Sequence, residues 1–204
     1  MATIAPTQPT ISPQRPPRTL PLHRITVDEY ERIIASGALE DPGRVELIDG
    51  YMLDKMGKNA EHGYATKQTV KALDGRLPAG WTSRKEEPIR IPEFDEPEPD
   101  VAIVRGSDAD YRHRIPSAGE VALLVEVSET TLLQDRGKKR TAYARAGIAV
   151  CWIVNLVARQ IEVYTRPANA GRYRSRKDYK PGQQVPVVIA GQQLPPIPVD
   201  DILP

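Results

Sequence analysis

The stretch GEVALLVEVSETT, Gly119 to Thr131, decides how this chain folds. From Val121 to Val127 both alternating registers are mostly apolar, the pattern of a strand covered on both faces and therefore central in its sheet. Glu126 interrupts that pattern. It shares its parity with Ala122 and Leu124, which aims its carboxylate at a covered face unless the strand has just ended. A buried carboxylate is costly unless it is paired, hydrogen-bonded or bound to a cation. A strand-end acid that is solvated, or paired with an arginine, would satisfy the same pattern.

Downstream, a helix is predicted from Gln134 to Ala146, stopped by Gly147, and AVCWIVN follows directly as another apolar strand. Strand, helix, strand predicts a crossover unit in a mixed sheet. QIEVYTR and the region from Tyr173 to Ile189 add further strands. Upstream, EPEPDVAIV leads from a proline-broken acidic loop into a short strand, and EEPIRIP before it also reads as a strand. NAEHGYATKQTVKALDGRL spaces Tyr64, Val70, Leu73 and Leu77 as a helix, and RVELIDGYML places Asp49-Gly50 at a hairpin turn. TVDEYERIIASG carries the Thr26 and Glu29 capping box of a short helix that Gly37 ends. The fold class expected is α/β of the α+β kind, a central mixed β-sheet flanked by helices. Residues 1–24, rich in proline and threonine, read as a flexible tail, 25–190 as one domain, and 191–204 as a C-terminal tail that packs back.

With 204 residues and an apolar share of 40%, the chain can bury one core of ordinary domain size. A net charge of +1 provides no global field toward nucleic acid or anionic lipid, so any such contact must come from local clusters. The single cysteine, Cys151, excludes an intrachain disulfide and a cysteine-based zinc site, and suits a reduced, cytoplasmic setting. No run approaches the roughly 18 apolar residues of a membrane span, and the start of the chain lacks the apolar core of a secretory signal. There is also no phosphate-binding glycine loop and no G-x-S-x-G elbow.

Three residue types remain as candidates for chemistry. Asp100 stands where the proline-rich loop enters a strand, and its plain alternative is an acid that caps a turn. Were Asp100 and Glu126 to meet, two carboxylates would suit a hard divalent cation such as Mg2+. On the following helix, Asp135, Lys139, Ala142, Tyr143 and Ala146 fall on one stripe, which turns Lys139 inward and leaves Lys138 and Arg140 outside. An inward lysine can orient a water or offset charge on a phosphate, or it can simply neutralise Glu126 or run its stem over Tyr143 to solvent. The segment from Arg166 to Lys180 is locally basic with interleaved tyrosines; it reads either as a phosphate-gripping patch, with Arg172 and Arg174 as contacts, or as a solvated hairpin.

Taken in order, VELIDG, His62 at a helix start, PDVAIV, LLVEVSETT, DRGKKRTAYARAGIAVCWIVN and IEVY resemble the restriction endonuclease-like family abundant in cyanobacteria and other bacteria, a branch of the PD-(D/E)XK nuclease superfamily. The resemblance spans roughly Thr26 to Thr165. It implies a restriction-endonuclease-like core, a Mg2+-dependent endonuclease (Mn2+ as a substitute) acting on DNA, and a homodimer. By position it implies a metal site at Asp100 and Glu126 with the carbonyl of Val127 as an extra ligand. The superfamily lysine two residues past the second acid is replaced here by Ser128, and the resemblance assigns that role to Lys139. Glu46 matches the first acidic position, touching the metal through water, and His62 lies near the site, where with Ser128 it is a candidate for substrate contact. An alternative is a non-catalytic nucleic-acid-binding or assembly module that has kept the fold.

Overall fold

β5, Val121–Ser128, is buried along its entire length. The structure, a computed structural model, describes residues 22–204. Of the expected N-terminal tail, residues 1–21 lie outside the described residues. Among the rest, Arg24 is anchored: its Nε donates to the Asp49 carbonyl at 2.8 Å and its guanidinium stacks 3.8 Å over the Phe94 ring.

Three elements precede the main sheet. Helix α1, Val27–Ala35, starts with the capping box that the sequence predicts between Thr26 and Glu29. β1, Val45–Ile48, and β2, Tyr51–Asp54, form a hairpin whose turn residues Asp49 and Gly50 both have positive φ, 54° and 77°. Helix α2, Ala60–Asp74, follows. Its buried residues are Ala65, Thr66, Thr69 and Leu73; of the expected stripe, Leu73, Val70 and Leu77 meet the core, while Tyr64 is 47% exposed.

The main sheet has six strands: β3, Trp81–Lys85; β4, Val101–Arg105; β5; β6, Val150–Asn155; β7, Gln160–Ala168; and β8, Arg172–Tyr179, ordered in space as in sequence. Only β5 and β6 run parallel. The crossover joining them is helical in three consecutive pieces: α3, Leu132–Gln134, a π-helical turn, Asp135–Lys139, and α4, Arg140–Arg145. EEPIRIP, expected as a strand, makes only isolated bridges at Arg90 and Ile91, because Pro88 and Pro92 each lack the amide proton that a ladder needs.

Alternate residues of β5 feed two cores. Leu123, Val125 and Val127 pack with Ala65 and Leu73 of α2, whereas Leu124 packs with Tyr143, Cys151 and Ile153 beneath the crossover helix. Each fully buried aliphatic side chain of this kind stabilises the fold by about 1.5–3 kcal/mol. The C-terminal segment 191–204 packs back onto the fold, and part of it is a strand: β10, Gln192–Pro198, pairs antiparallel with β9, Gln184–Ile189, and Ile197, Val199, Ile202 and Leu203 are buried in the α2-side core. The register shift between Leu194 and Ile197 falls at Pro195 and Pro196, so the prolines that suggested a tail mark a bulge.

Candidate active site

In the β4–β5 ladder Val101 faces Val125, which makes Asp100 and Glu126 the next opposed positions, one step past the last pair. Both are buried, at 6% and 3% exposure. The Val127 amide donates to Asp100 Oδ2 at 2.8 Å, closing the ladder with a side chain where the backbone of the acidic loop turns away.

Around Asp100 the helix and loop from the other side supply polar partners, an imidazole and an ammonium. His62 lies in the first turn of α2, whose cap is the Asn59 side chain accepting from the His62 amide at 2.9 Å. That geometry brings His62 Nε2 to 3.3 Å from Asp100 Oδ2, and Lys58 Nζ lies 3.1 Å from Asp100 Oδ1. Burial pushes the Asp100 carboxyl up, but the hydrogen bond and charge of His62, the charge of Lys58 and the Val127 amide outweigh it and hold the group below its ordinary range.

Glu126 is held from the crossover helix. Tyr143 donates its hydroxyl to Oε1, and Lys139 Nζ lies 3.5 Å from Oε2. The same ammonium is 3.0 Å from Glu46 Oε2 on β1 and donates to the Glu98 carbonyl at 3.3 Å. Glu46 is fixed in turn by the Glu98 amide at 3.0 Å. Burial raises the Glu126 pKa well above the usual carboxylate range; Lys139 opposes this, while Asp135, Asp100 and Glu46 add to it. Lys139 responds in the opposite sense: burial lowers its pKa, but Glu126, Glu46, Asp135 and Asp100 together raise it, so the amine stays charged at neutral pH.

Glu46, His62, Asp100, Glu126, Val127 and Lys139 thus line one cleft, with about 60 Å³ open to the centres of water molecules, room for a few of them. Three expected contacts lie elsewhere. Ser128 is fully buried behind the cleft wall and donates to the cleft residue Asp135 at 2.7 Å, bracing the π-helical turn rather than facing a substrate. Arg172 and Arg174 belong to the far end of the sheet: Glu126, Ile153, Glu162 and Asp178 form one row across β5 to β8, and Arg172 is six residues further along β8. At ~3.3 Å per strand residue, that is about 20 Å along the strand.

Sequence reasoning also missed partners that the fold supplies. Asp135 was placed on the inward stripe without a role; it is buried in the cleft and also accepts from Thr131 at 2.6 Å. Tyr143, read as core, is core and also a hydrogen-bond donor to Glu126. The signal for both was the stripe they share with Lys139. Lys58 left no periodic signal, since it sits in an irregular loop.

The donor chemistry can be tested against a cation. Asp100 and Glu126 offer hard carboxylate oxygens. The Val127 carbonyl points, like its amide, to the β4 side, past the end of that strand's ladder. One or two carboxylates with retained water are the set that a Mg2+-sized ion takes. Among the described residues no three His, Cys, Asp or Glu side chains form a ready-made metal cage. Even so, Glu46, Asp100, Glu126 and Asp135 are buried together, and the neighbouring acids add to the raised pKa of Glu126, a crowding of carboxyls that a cation would relieve.

A mixed sheet with its single parallel pair spanned by the crossover helix, and acids opposed where β4 and β5 meet, has the architecture of the restriction-endonuclease-like nuclease fold. A crystal structure of a protein described as a "putative nuclease", from Anabaena variabilis, matches with a TM-score of 0.62 at 16% identity, covering 87% of this chain and 97% of that one. At that identity the likeness shows the fold. No curated protein matches the chain. The chain belongs to the Uma2 family, described as "Putative restriction endonuclease", whose model matches residues 27–197.

Proposed function

We propose that this protein is a divalent-metal-dependent endonuclease that hydrolyses DNA phosphodiester bonds, with Mg2+ as the working ion and Mn2+ as a substitute. The observation that carries the proposal is the convergence of Asp100, Glu126, Lys139 and Glu46, from two strand ends, a helix and a hairpin, on one cleft. Asp100 and Glu126, with the Val127 carbonyl, would hold the ion. Once bound, it would supply Lewis acidity toward the phosphoryl group. Lys139, charged and fixed by Glu46, Glu126 and the Glu98 carbonyl, orients the attacking water and offsets charge developing on phosphate. The surrounding acids raise its pKa, which favours the charged form and suits an orienting and charge-offsetting role. Glu46 sets the position of that ammonium and would meet the ion through water. Among the described residues no helix is long and apolar enough to cross a membrane. A homodimer and a cytoplasmic setting belong to the same proposal.

One observation favours a second reading, a non-catalytic binding or assembly module: the oxygens of Asp100 and Glu126 are already engaged by Lys58, His62, Tyr143 and Lys139. The deciding experiment is cleavage of plasmid, single-stranded and genomic DNA with Mg2+ or Mn2+, with Asp100→Asn purified in parallel. Cutting by the wild type alone supports the nuclease. Equal cutting by both marks a contaminant, and no cutting together with no divalent-ion binding at millimolar concentration favours the module.

A further inference from the structure

The loop between β2 and α2, residues 55–59, reads Lys-Met-Gly-Lys-Asn and lines the cleft from the side opposite the crossover helix. It is a loose cover: Met56 is 56% exposed, and a side chain added at Gly57 would meet nothing within 4 Å. Its polar contacts are Lys55 with Glu98, Asn59 with Glu129, and Lys58 with both Glu86 and Asp100.

Lys58 is placed differently from the other two. Asp100 Oδ2 already accepts from the Val127 amide and faces His62, so Oδ1 is the oxygen free to take a further ligand, and the Lys58 ammonium sits 3.1 Å from it. The two lysines of the site differ in their freedom to leave. The Lys139 side chain is 8% exposed and tied to two acids and a carbonyl, whereas that of Lys58 is 37% exposed on an open loop. Glu86 Oε1, 3.0 Å from the same ammonium, is the contact that remains when Lys58 releases Asp100. An ammonium 3.1 Å from that oxygen and a divalent ion bonded to it at about 2.1 Å would repel each other, which favours the ammonium's stepping back.

We infer that Lys58 is the resident counter-ion of Asp100 Oδ1 and competes with a divalent cation for that oxygen, stepping back onto Glu86 when the cation binds. The inference rests on the reading of Asp100 and Glu126 as a cation site.

The test is Mn2+ binding to the full-length protein, followed by the spin-resonance signal of free Mn2+, with circular dichroism to confirm that each variant folds. Lys58→Met should bind Mn2+ about five- to tenfold more tightly, the scale of one half-exposed ion pair. Lys58→Arg, which keeps the charge, should bind no more tightly than wild type. Lys85→Met measures the general field, because Lys85 lies 3.7 Å from Glu86 on the neighbouring strand end; its affinity should move by less than about twofold. Unchanged affinity in Lys58→Met, or an equal gain in Lys85→Met, overturns the inference while leaving the site standing if Asp100→Asn abolishes binding. Absence of Mn2+ binding at millimolar concentration in every protein, Lys58→Met included, sinks the cation site and this inference together.

Discussion

Replacing Lys139 with methionine keeps most of the unbranched apolar stem and removes the terminal ammonium, with its charge and its hydrogen bond to the Glu98 carbonyl. In the native fold that charge is 3.0 Å from Glu46 and 3.5 Å from Glu126, with all three residues buried. Removing one partner of a buried ion pair leaves the other charge uncompensated, at a cost of about 3–5 kcal/mol. Glu126 can avoid part of that cost by taking up a proton, since its folded-state pKa is already raised by burial and by the neighbouring acids. The sign then follows from linkage. A carboxyl with a folded pKa above its unfolded value of about 4.5 loses stability as pH rises between the two, because the folded state holds the extra proton. Lys139→Met raises that folded pKa further, so its penalty grows with pH. Urea unfolding at pH 5 and pH 8 is the assay. The expected loss is about 3–5 kcal/mol at pH 8 and smaller at pH 5. The double variant with Glu126→Gln should recover part of the loss, because both partners are then uncharged. A loss under about 1 kcal/mol at pH 8, the scale of an exposed pair, or one independent of pH, would refute this account of the cluster.

Two further outcomes are expected. Glu162, fully buried on β7, accepts from Arg136 of the π-helical turn at 3.0 Å, from Asn155 at 2.9 Å and from Tyr164 at 2.7 Å. Burial pushes its pKa up, but Arg136, Asn155, Tyr164 and Arg176 outweigh burial and bring it from 4.5 down to about 2. The depressed group stabilises the fold above pH 4.5 and loses that contribution as pH falls toward 2; the shift is worth up to about 3 kcal/mol. Acid titration of stability should therefore be flatter over that window in Glu162→Gln than in wild type. Truncation after Ala190 removes β10 and the buried Ile197, Val199, Ile202 and Leu203. At about 1.5–3 kcal/mol each, their loss rivals a typical domain's total of about 5–15 kcal/mol. The truncated chain should show no cooperative thermal transition by circular dichroism, and a sharp transition near that of wild type would contradict the assignment of this segment to the core.

Much of the main sheet could be read from local signals. The two-sided apolar run of β5, the glycine stop after the crossover helix, the Asp49-Gly50 turn and the Thr26 capping box are local patterns, and local backbone chemistry decides each of them. Prolines misled the reading in both directions. In EEPIRIP they prevented a ladder that the apolar residues suggested, and near Ile197 they produced a bulge inside a strand taken for a tail. Whether a proline ends pairing or only shifts it depends on which partner strand is present, and no local pattern carries that information.

The candidate site divides along the same line. The sequence by itself put Glu126 on the covered-face parity of its strand and turned Lys139 inward, because strand parity and helical spacing are set by backbone geometry; that the strand had not yet ended at Glu126, and that its carboxylate is buried, came from the fold. Family resemblance added Glu46 and His62, and the structure brings both into the cleft. Only the tertiary structure decided which charges meet: Lys139 on Glu46 as well as Glu126, Tyr143 on Glu126, Lys58 and His62 on Asp100, and Arg172 and Arg174 far from all of them. The pairing of a buried charge depends on groups distant in the chain and close in space. Periodicity fixes which way a side chain points, and packing fixes what it finds there.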